Sequence, residues 1–214
     1  MKIKKLVFIV GFILICLIGT LFVFFGNSKT PALDLAKLQN DNGGYVYPGI
    51  TWDMSVEELE KSLGCKLDNP QFGSEQQPFD YRTNTDYQFA IFSPKDQDKY
   101  VELFNNYGQI SYQFEYGKLK SVQLTFMNNV DKMKNNNLKE LSVKIKDKLI
   151  ELYGENYELN ESSKNKESKL DVTTYTWEHK ENEKSVTRVF VSTMPSSGEI
   201  NTVSLGVSYF TNKD

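Results

Sequence analysis

The sequence predicts an α+β fold in which an N-terminal transmembrane helix is followed by helices packed on an antiparallel sheet. Three observations support this prediction. An uncharged apolar run opens the chain, two amphipathic helical patterns follow, and several short runs alternate apolar with polar residues. Leu63-Gly64 and Tyr153-Gly154 end the two helical patterns alike, with a polar loop and strands after each. This likeness indicates tandem α-β-β-β repeats.

The apolar run is long enough to cross a membrane. It begins at Leu6 and ends at Phe25 without a charged residue, and about 20 residues span a hydrocarbon core as an α-helix. Three lysines precede it, at positions 2, 4 and 5, and the positive-inside rule keeps such a basic flank in the cytoplasm. We therefore predict a single-pass protein of the cell membrane with a cytoplasmic N-terminus and an extracytoplasmic C-terminal domain.

Two other interpretations of the run stay open. A cleavable signal peptide has a shorter apolar region, of about 7–15 residues, followed by small residues, and Gly26 and Ser28 offer such a site. Cys16 would be the acylated residue of a lipoprotein, although Ile15 stands before it where a small residue is expected. The length of the run favours the uncleaved anchor.

Composition predicts a globular and mildly acidic domain after the anchor. The chain has 12 Tyr, 14 Phe and 2 Trp, enough aromatic residues for a core. Removing the three flanking lysines from 25 basic residues leaves 22 against 28 acidic residues, a net charge of −6. Nucleic acid would repel such a domain, so we expect no nucleic-acid partner. The predicted segments are a cytoplasmic flank (1–5), the anchor (6–25), a linker (26–44) and an extracytoplasmic α+β domain (45–214), with halves at 45–130 and 131–214.

Ser55 marks the best-defined helix start. Ser55 and Glu58 have the spacing of a capping box, and Met54 and Leu59 occupy the positions of a hydrophobic staple. Gly64 favours the left-handed conformation that ends a helix, so we expect eight helical residues before it. In the second half, a spacing of 3, 4, 4 and 3 predicts a longer helix that carries Leu138, Leu141, Ile145, Leu149 and Leu152 on one face. Strands are predicted at 87–92, 100–104, 109–115, 119–127, 172–178, 185–193 and 202–210, with polar loops at 66–85 and 157–170.

Residues that carry chemistry are few. His179 is the only histidine, and no zinc-ligand, nucleotide-binding or nucleophile-elbow spacing occurs. Asp96 and Asp98 resemble the start of a calcium loop that lacks its remaining ligands. Cys65 and His179 could act as a thiolate pair if the fold makes them neighbours, but packing and a solvated turn explain them equally well. We therefore predict no catalytic, metal-binding or cofactor-binding residues and no cofactor.

The helix start and stop carry a family resemblance. The segment Ile50-Thr51-Trp52-Asp53-Met54-Ser55-Val56-Glu57-Glu58-Leu59, with Ser62-Leu63-Gly64 after it, resembles the BamE/SmpA group of small envelope proteins. Those proteins have a Gly-Met-Thr/Ser helix start and a Leu-Gly stop, and the resemblance covers about residues 50–126. Asp53 stands where the group prefers glycine. The resemblance implies an α+β fold used for protein contacts without catalysis, and the group's role in outer-membrane assembly is not carried over.

These observations predict a non-enzymatic, membrane-anchored extracytoplasmic binding or scaffold protein of the bacterial envelope. Its expected partners are the membrane, through residues 6–25, and an envelope protein or peptide. One alternative is an envelope hydrolase that uses Cys65 and His179 or a group of carboxylates. A second alternative is an inhibitor or immunity-type module whose loop at 66–85 docks on an exported enzyme.

Overall fold

The computed structural model describes residues 30–68, 89–95, 100–128, 133, 136–162, 172–196 and 199–211. The described residues from Pro31 onward belong to one compact unit. The predicted anchor with Cys16 lies outside the described residues, as do residues 69–85 of the predicted docking loop and both Asp96 and Asp98. In the described ranges, no helix has the length and apolar character needed to cross a membrane.

Most of the described chain forms one antiparallel sheet of nine strands. In chain order these are β1 Leu67–Asp68, β2 Ala90–Pro94, β3 Tyr100–Leu103, β4 Asn106–Glu115, β5 Lys118–Met127, β6 Glu158–Ser162, β7 Val172–Lys180, β8 Ser185–Ser196 and β9 Glu199–Thr211. Across the sheet they lie in the order β1-β2-β4-β5-β9-β8-β7-β6, and β3 pairs with the first part of β4. The pairing of β5 with β9 joins the first strands of the chain to the last.

Two α-helices accompany the sheet among the described residues: α1, Val56–Leu63, and α2, Leu138–Tyr153. The predicted capping box at α1 is confirmed, because Ser55 and Glu58 each accept a hydrogen bond from the other's backbone N–H. Gly64 ends α1 at φ 68°, a left-handed conformation that glycine adopts without strain. Asn137 caps α2 by accepting a hydrogen bond from the backbone N–H of Glu140.

The predicted fold class is wrong. An α+β arrangement behind a transmembrane helix, with tandem α-β-β-β repeats, was expected, whereas the described chain is mostly a nine-stranded antiparallel sheet with only two α-helices, neither able to span a membrane. Residues 158–162, expected in a polar loop, form the strand β6, which lies at one end of the sheet. An edge strand with both faces exposed needs no apolar alternation, so hydropathy does not reveal it.

One face of the sheet is buried. Along β4, Ile110, Tyr112 and Phe114 are buried, whereas Ser111 and Gln113 between them stay half-exposed. This alternation follows from the two-residue period of a strand. The buried side chains of β5, β9 and β8 join the same core, on which α2 packs through Leu141, Ile145 and Leu149. We call this side the covered face and the other side the open face.

The segment before α1 also packs on the covered face. A short 3₁₀ helix at Leu35–Leu38 buries both of its leucines in the core. Before it, the backbone pairs with β3: the N–H of Leu33 donates to the carbonyl of Glu102, whose own N–H donates to Pro31. Because of these contacts, residues 31–44 of the predicted linker are part of the folded unit.

Candidate functional site

A cleft of about 510 Å³ opens on the covered face, beside residues 31–37 and the end of α1. Its floor is β4, which contributes Tyr112, and Tyr47 stands at its wall. We call it the tyrosine cleft. Ligand sites commonly have volumes of about 300–1,000 Å³. The remaining walls are largely apolar and are formed by Leu33, Pro48, Leu63, Pro94, Val101 and Ile110.

Local structure fixes both tyrosines. Tyr112 is in register with Phe92 on β2 and with Val122 on β5, so its ring is directed to the covered face. Tyr47 precedes a turn in which the N–H of Ile50 donates to the Tyr47 carbonyl and Gly49 has φ 80°. The residue before Tyr47 is tied to the 3₁₀ helix, since the N–H of Val46 donates to the carbonyl of Leu38.

Burial controls the protonation of both phenols. It raises the pKa of Tyr47 to about 12. The pKa of Tyr112 is also raised, first by burial and then by the nearby Tyr47 and Cys65. Both side chains therefore remain neutral hydroxyls at physiological pH. Neither hydroxyl makes a hydrogen bond to another residue within the described part of the chain. The cleft thus contains two hydrogen-bond donors that the surrounding protein leaves available.

Two charged residues and one thiol complete the lining. Asp34 caps the 3₁₀ helix by accepting a hydrogen bond from the N–H of Ala36. Lys37 lies one turn further along and has no ion pair with a residue that the structure describes. The lining therefore carries one acid and one base. Cys65 follows Gly64 at the end of α1 and is half-buried.

The structure does not bring Cys65 and His179 together. Cys65 lines the tyrosine cleft over β4, whereas His179 lies on β7, where its ring packs on Gly43. From β4 to β7 the sheet has four inter-strand steps, or about 19 Å at the usual strand spacing. The hypothetical thiolate pair is therefore not assembled.

The glutamates of α1 have structural roles. Glu58 serves the capping box, and hydrogen bonds from the backbone and side chain of Ser55 lower its pKa. Glu60 accepts a hydrogen bond from the N–H of Leu67 and pairs with Lys66 at 2.6 Å. No group of three or more His, Cys, Asp or Glu residues that could hold a metal ion occurs among the residues described.

Sequence reasoning missed Tyr47 and Tyr112 as site residues. Tyr112 has the alternating pattern of a core strand, and most large aromatic side chains here do fill the core, with Phe92, Phe114 and Trp177 almost fully buried. Tyr47 stands directly before Pro48-Gly49, a signal for a turn but not for a binding site. Scans of family models and searches of curated proteins and of solved structures found no match to this chain.

Proposed function

We propose that the protein is a membrane-anchored, extracytoplasmic binding or scaffold protein of the bacterial envelope that works without catalysis. The tyrosine cleft carries this proposal. It combines apolar walls with two tyrosine hydroxyls that have no partner among the described residues, a composition typical of sites that hold a ligand in a fixed orientation. Attachment to the membrane through residues 6–25 rests on the apolar run in the sequence.

Among the described residues, two candidate bases for Cys65 are unsuited to that role. A cysteine nucleophile needs a nearby base that accepts its proton. The residues beside Cys65 include Tyr112, whose pKa is raised by burial, so this phenol is not ionised at physiological pH and cannot act as that base. His179 lies four strands away. Binding needs none of these proton transfers.

Photo-crosslinking of the full chain in the cells that make it tests the proposal. A benzophenone amino acid at Pro48 places the reactive group at the rim of the cleft, and the same group at Gln123 on the open face is the matched control. We expect one defined protein or peptide adduct from position 48, absent from position 123 and lost when Tyr47 and Tyr112 are both phenylalanine. Equal labelling at both positions, or none at position 48, contradicts the proposal.

The location is tested separately. Protease added to cells stripped of their outer layers should digest the domain from residue 45 onward and leave a membrane-protected N-terminal fragment. Full protection of the domain until the membrane is lysed would contradict an extracytoplasmic position.

A further inference from the structure

The tyrosine cleft has features that select the chemistry of its ligand. We infer that it binds an extended, uncharged peptide segment with apolar side chains, whose backbone carbonyl oxygens accept hydrogen bonds from the hydroxyls of Tyr47 and Tyr112. This inference rests on the proposed binding function and specifies the ligand of the same site.

The cleft contains hydrogen-bond donors that the surrounding protein does not use. Tyr112 is only 2 % exposed and Tyr47 is half-buried, and neither hydroxyl has a hydrogen-bond partner among the described residues. Neither hydroxyl is a fully buried oxygen without a partner, so both phenols present an unpaired donor to the surface of the cleft, where a ligand can reach it. A neutral phenol donates one hydrogen bond. Two adjacent phenols therefore suit a ligand with at least two acceptor oxygens.

The charged groups that line the cleft favour an uncharged ligand. Asp34 and Lys37 contribute one charge of each sign to the lining. The C-terminal end of α1, at Leu63 and Gly64, lies in the same lining and carries the partial negative charge of the helix dipole. A carboxylate would gain from Lys37 but would be opposed by Asp34 and by the helix end. An uncharged carbonyl avoids both repulsions.

The polar groups of the cleft match those of a peptide backbone. The last carbonyls of a helix lack intrahelical donors and accept hydrogen bonds from outside. A peptide offers amide N–H groups for such acceptors at the end of α1 and carbonyl oxygens for the two phenols. Its side chains would lie against the apolar walls at Pro48, Val101 and Ile110. A fatty acid or a sugar matches only one of these surfaces.

Calorimetric titration of the full chain in lipid nanodiscs tests the inference. The probe is the peptide Ala-Leu-Ala-Leu with an acetylated N-terminus and an amidated C-terminus, and the same peptide with a free carboxylate and octanoate are the comparison ligands. Tyr47→Phe and Tyr112→Phe each remove a hydroxyl and keep the ring. Tyr175→Phe is the matched control, because that ring packs on Tyr157 outside the cleft.

We expect the capped peptide to bind more tightly than the carboxylate peptide or octanoate. Each cleft variant should weaken its Kd about tenfold, or roughly 1.4 kcal/mol, while Tyr175→Phe leaves the Kd unchanged. An unchanged thermal midpoint in both cleft variants shows that they remain folded. Tighter binding of octanoate, equal affinity in all variants, or no binding of the capped peptide would overturn the inference. If the capped peptide does not bind but photo-crosslinking still gives a specific adduct at position 48, the proposed binding function stands. Only the assignment of a peptide ligand is then refuted.

Discussion

The two faces of the sheet differ in burial, although the same strands form both. On the covered face of β4 and β5, Ile110, Phe114 and Phe126 are almost fully buried. On the open face, the same strands present Ser111 and Gln123, which are half-exposed polar residues. The covered face therefore provides the stability of the domain, and the tyrosine cleft lies where its cover is incomplete. The proposed binding site and the packed core share one face of this molecule.

Each face contains a glycine under a phenylalanine ring. On the covered face, a Cβ at Gly108 would lie 2.7 Å from the ring of Phe126. On the open face, a Cβ at Gly206 would lie 2.3 Å from the ring of Phe190, which is its cross-strand neighbour. Phe126 is fully buried, whereas Phe190 is partly exposed. The two glycine–phenylalanine pairs thus have the same arrangement, one in the buried core and the other on the partly exposed open face.

The largest expected difference in stability is between alanine substitutions of the two phenylalanines. Phe126→Ala should lower the free energy of unfolding by about 3–5 kcal/mol, because it leaves a cavity in a close-packed core. Phe190→Ala should cost only about 1 kcal/mol, since its ring is already partly hydrated. Urea denaturation measures both. Similar losses for the two variants would show that the open face is packed as tightly as the covered one.

Substitution of the two glycines should also destabilise the covered face more than the open face. This order is the reverse of that expected from the contact distances, since the Cβ at Gly206 would lie closer to its ring than the Cβ at Gly108. Gly108→Ala should destabilise the domain by about 1–3 kcal/mol, because the Phe126 ring has no space to move. Gly206→Ala should cost less than about 1 kcal/mol, because the Phe190 ring can rotate toward solvent. Thermal melts of the two variants compare them directly. A larger loss at Gly206 would mean that the contact distance outweighs the mobility of the ring.

The buried phenols of the covered face predict a loss of stability at high pH. Tyr47 has its pKa raised to about 12 in the folded state, from an ordinary value near 10. Its contribution is therefore fully present below pH 10 and is lost as the pH rises toward 12. At pH 11 the loss from this group is about 1.4 kcal/mol. Urea midpoints at pH 8, 10 and 11 measure it, and Tyr47→Phe should reduce the slope above pH 10.

The smallest effect is expected on the open face. Gln123→Ala should change the free energy of unfolding by no more than about 0.5 kcal/mol, as for most surface substitutions. Gln123 is half-exposed and lies opposite Gly206 on β9, which has no side chain of its own. The urea midpoint is again the measurement. A loss above 1 kcal/mol would reveal packing on this face and would weaken the comparison.

Local features of this fold could be predicted because their causes lie within a few residues. The capping box of Ser55 and Glu58 and the left-handed Gly64 define α1 without any tertiary contact. The central part of β4 was predicted from its alternation, although the strand begins at Asn106, earlier than expected. In contrast, β6 has exposed Glu158 and Leu159 side by side and shows no strand pattern.

The tyrosine cleft could not be predicted because distant segments build it. Tyr47 comes from a turn before α1, Tyr112 from the middle of β4, and Lys37 from the 3₁₀ helix. No spacing in the sequence joins these residues. Cys65 and His179 belong to the rarest residue types of the sequence, which has two cysteines and one histidine. The fold places Cys65 in the cleft and His179 far along the sheet, so only one of the two belongs to the candidate site.

The pairing of β5 with β9 has a consequence for how the chain folds. Ser121 on β5 donates to the carbonyl of Val207 on β9, a partner 86 residues further along. Contacts of such high sequence separation require the closure of a long loop and slow the folding of β-rich domains. Until β9 emerges from the ribosome, β5 has one unsatisfied edge. The last of the described strands along the chain is thus the one that closes the centre of the sheet, and loss of β9 would expose that edge of β5 to aggregation.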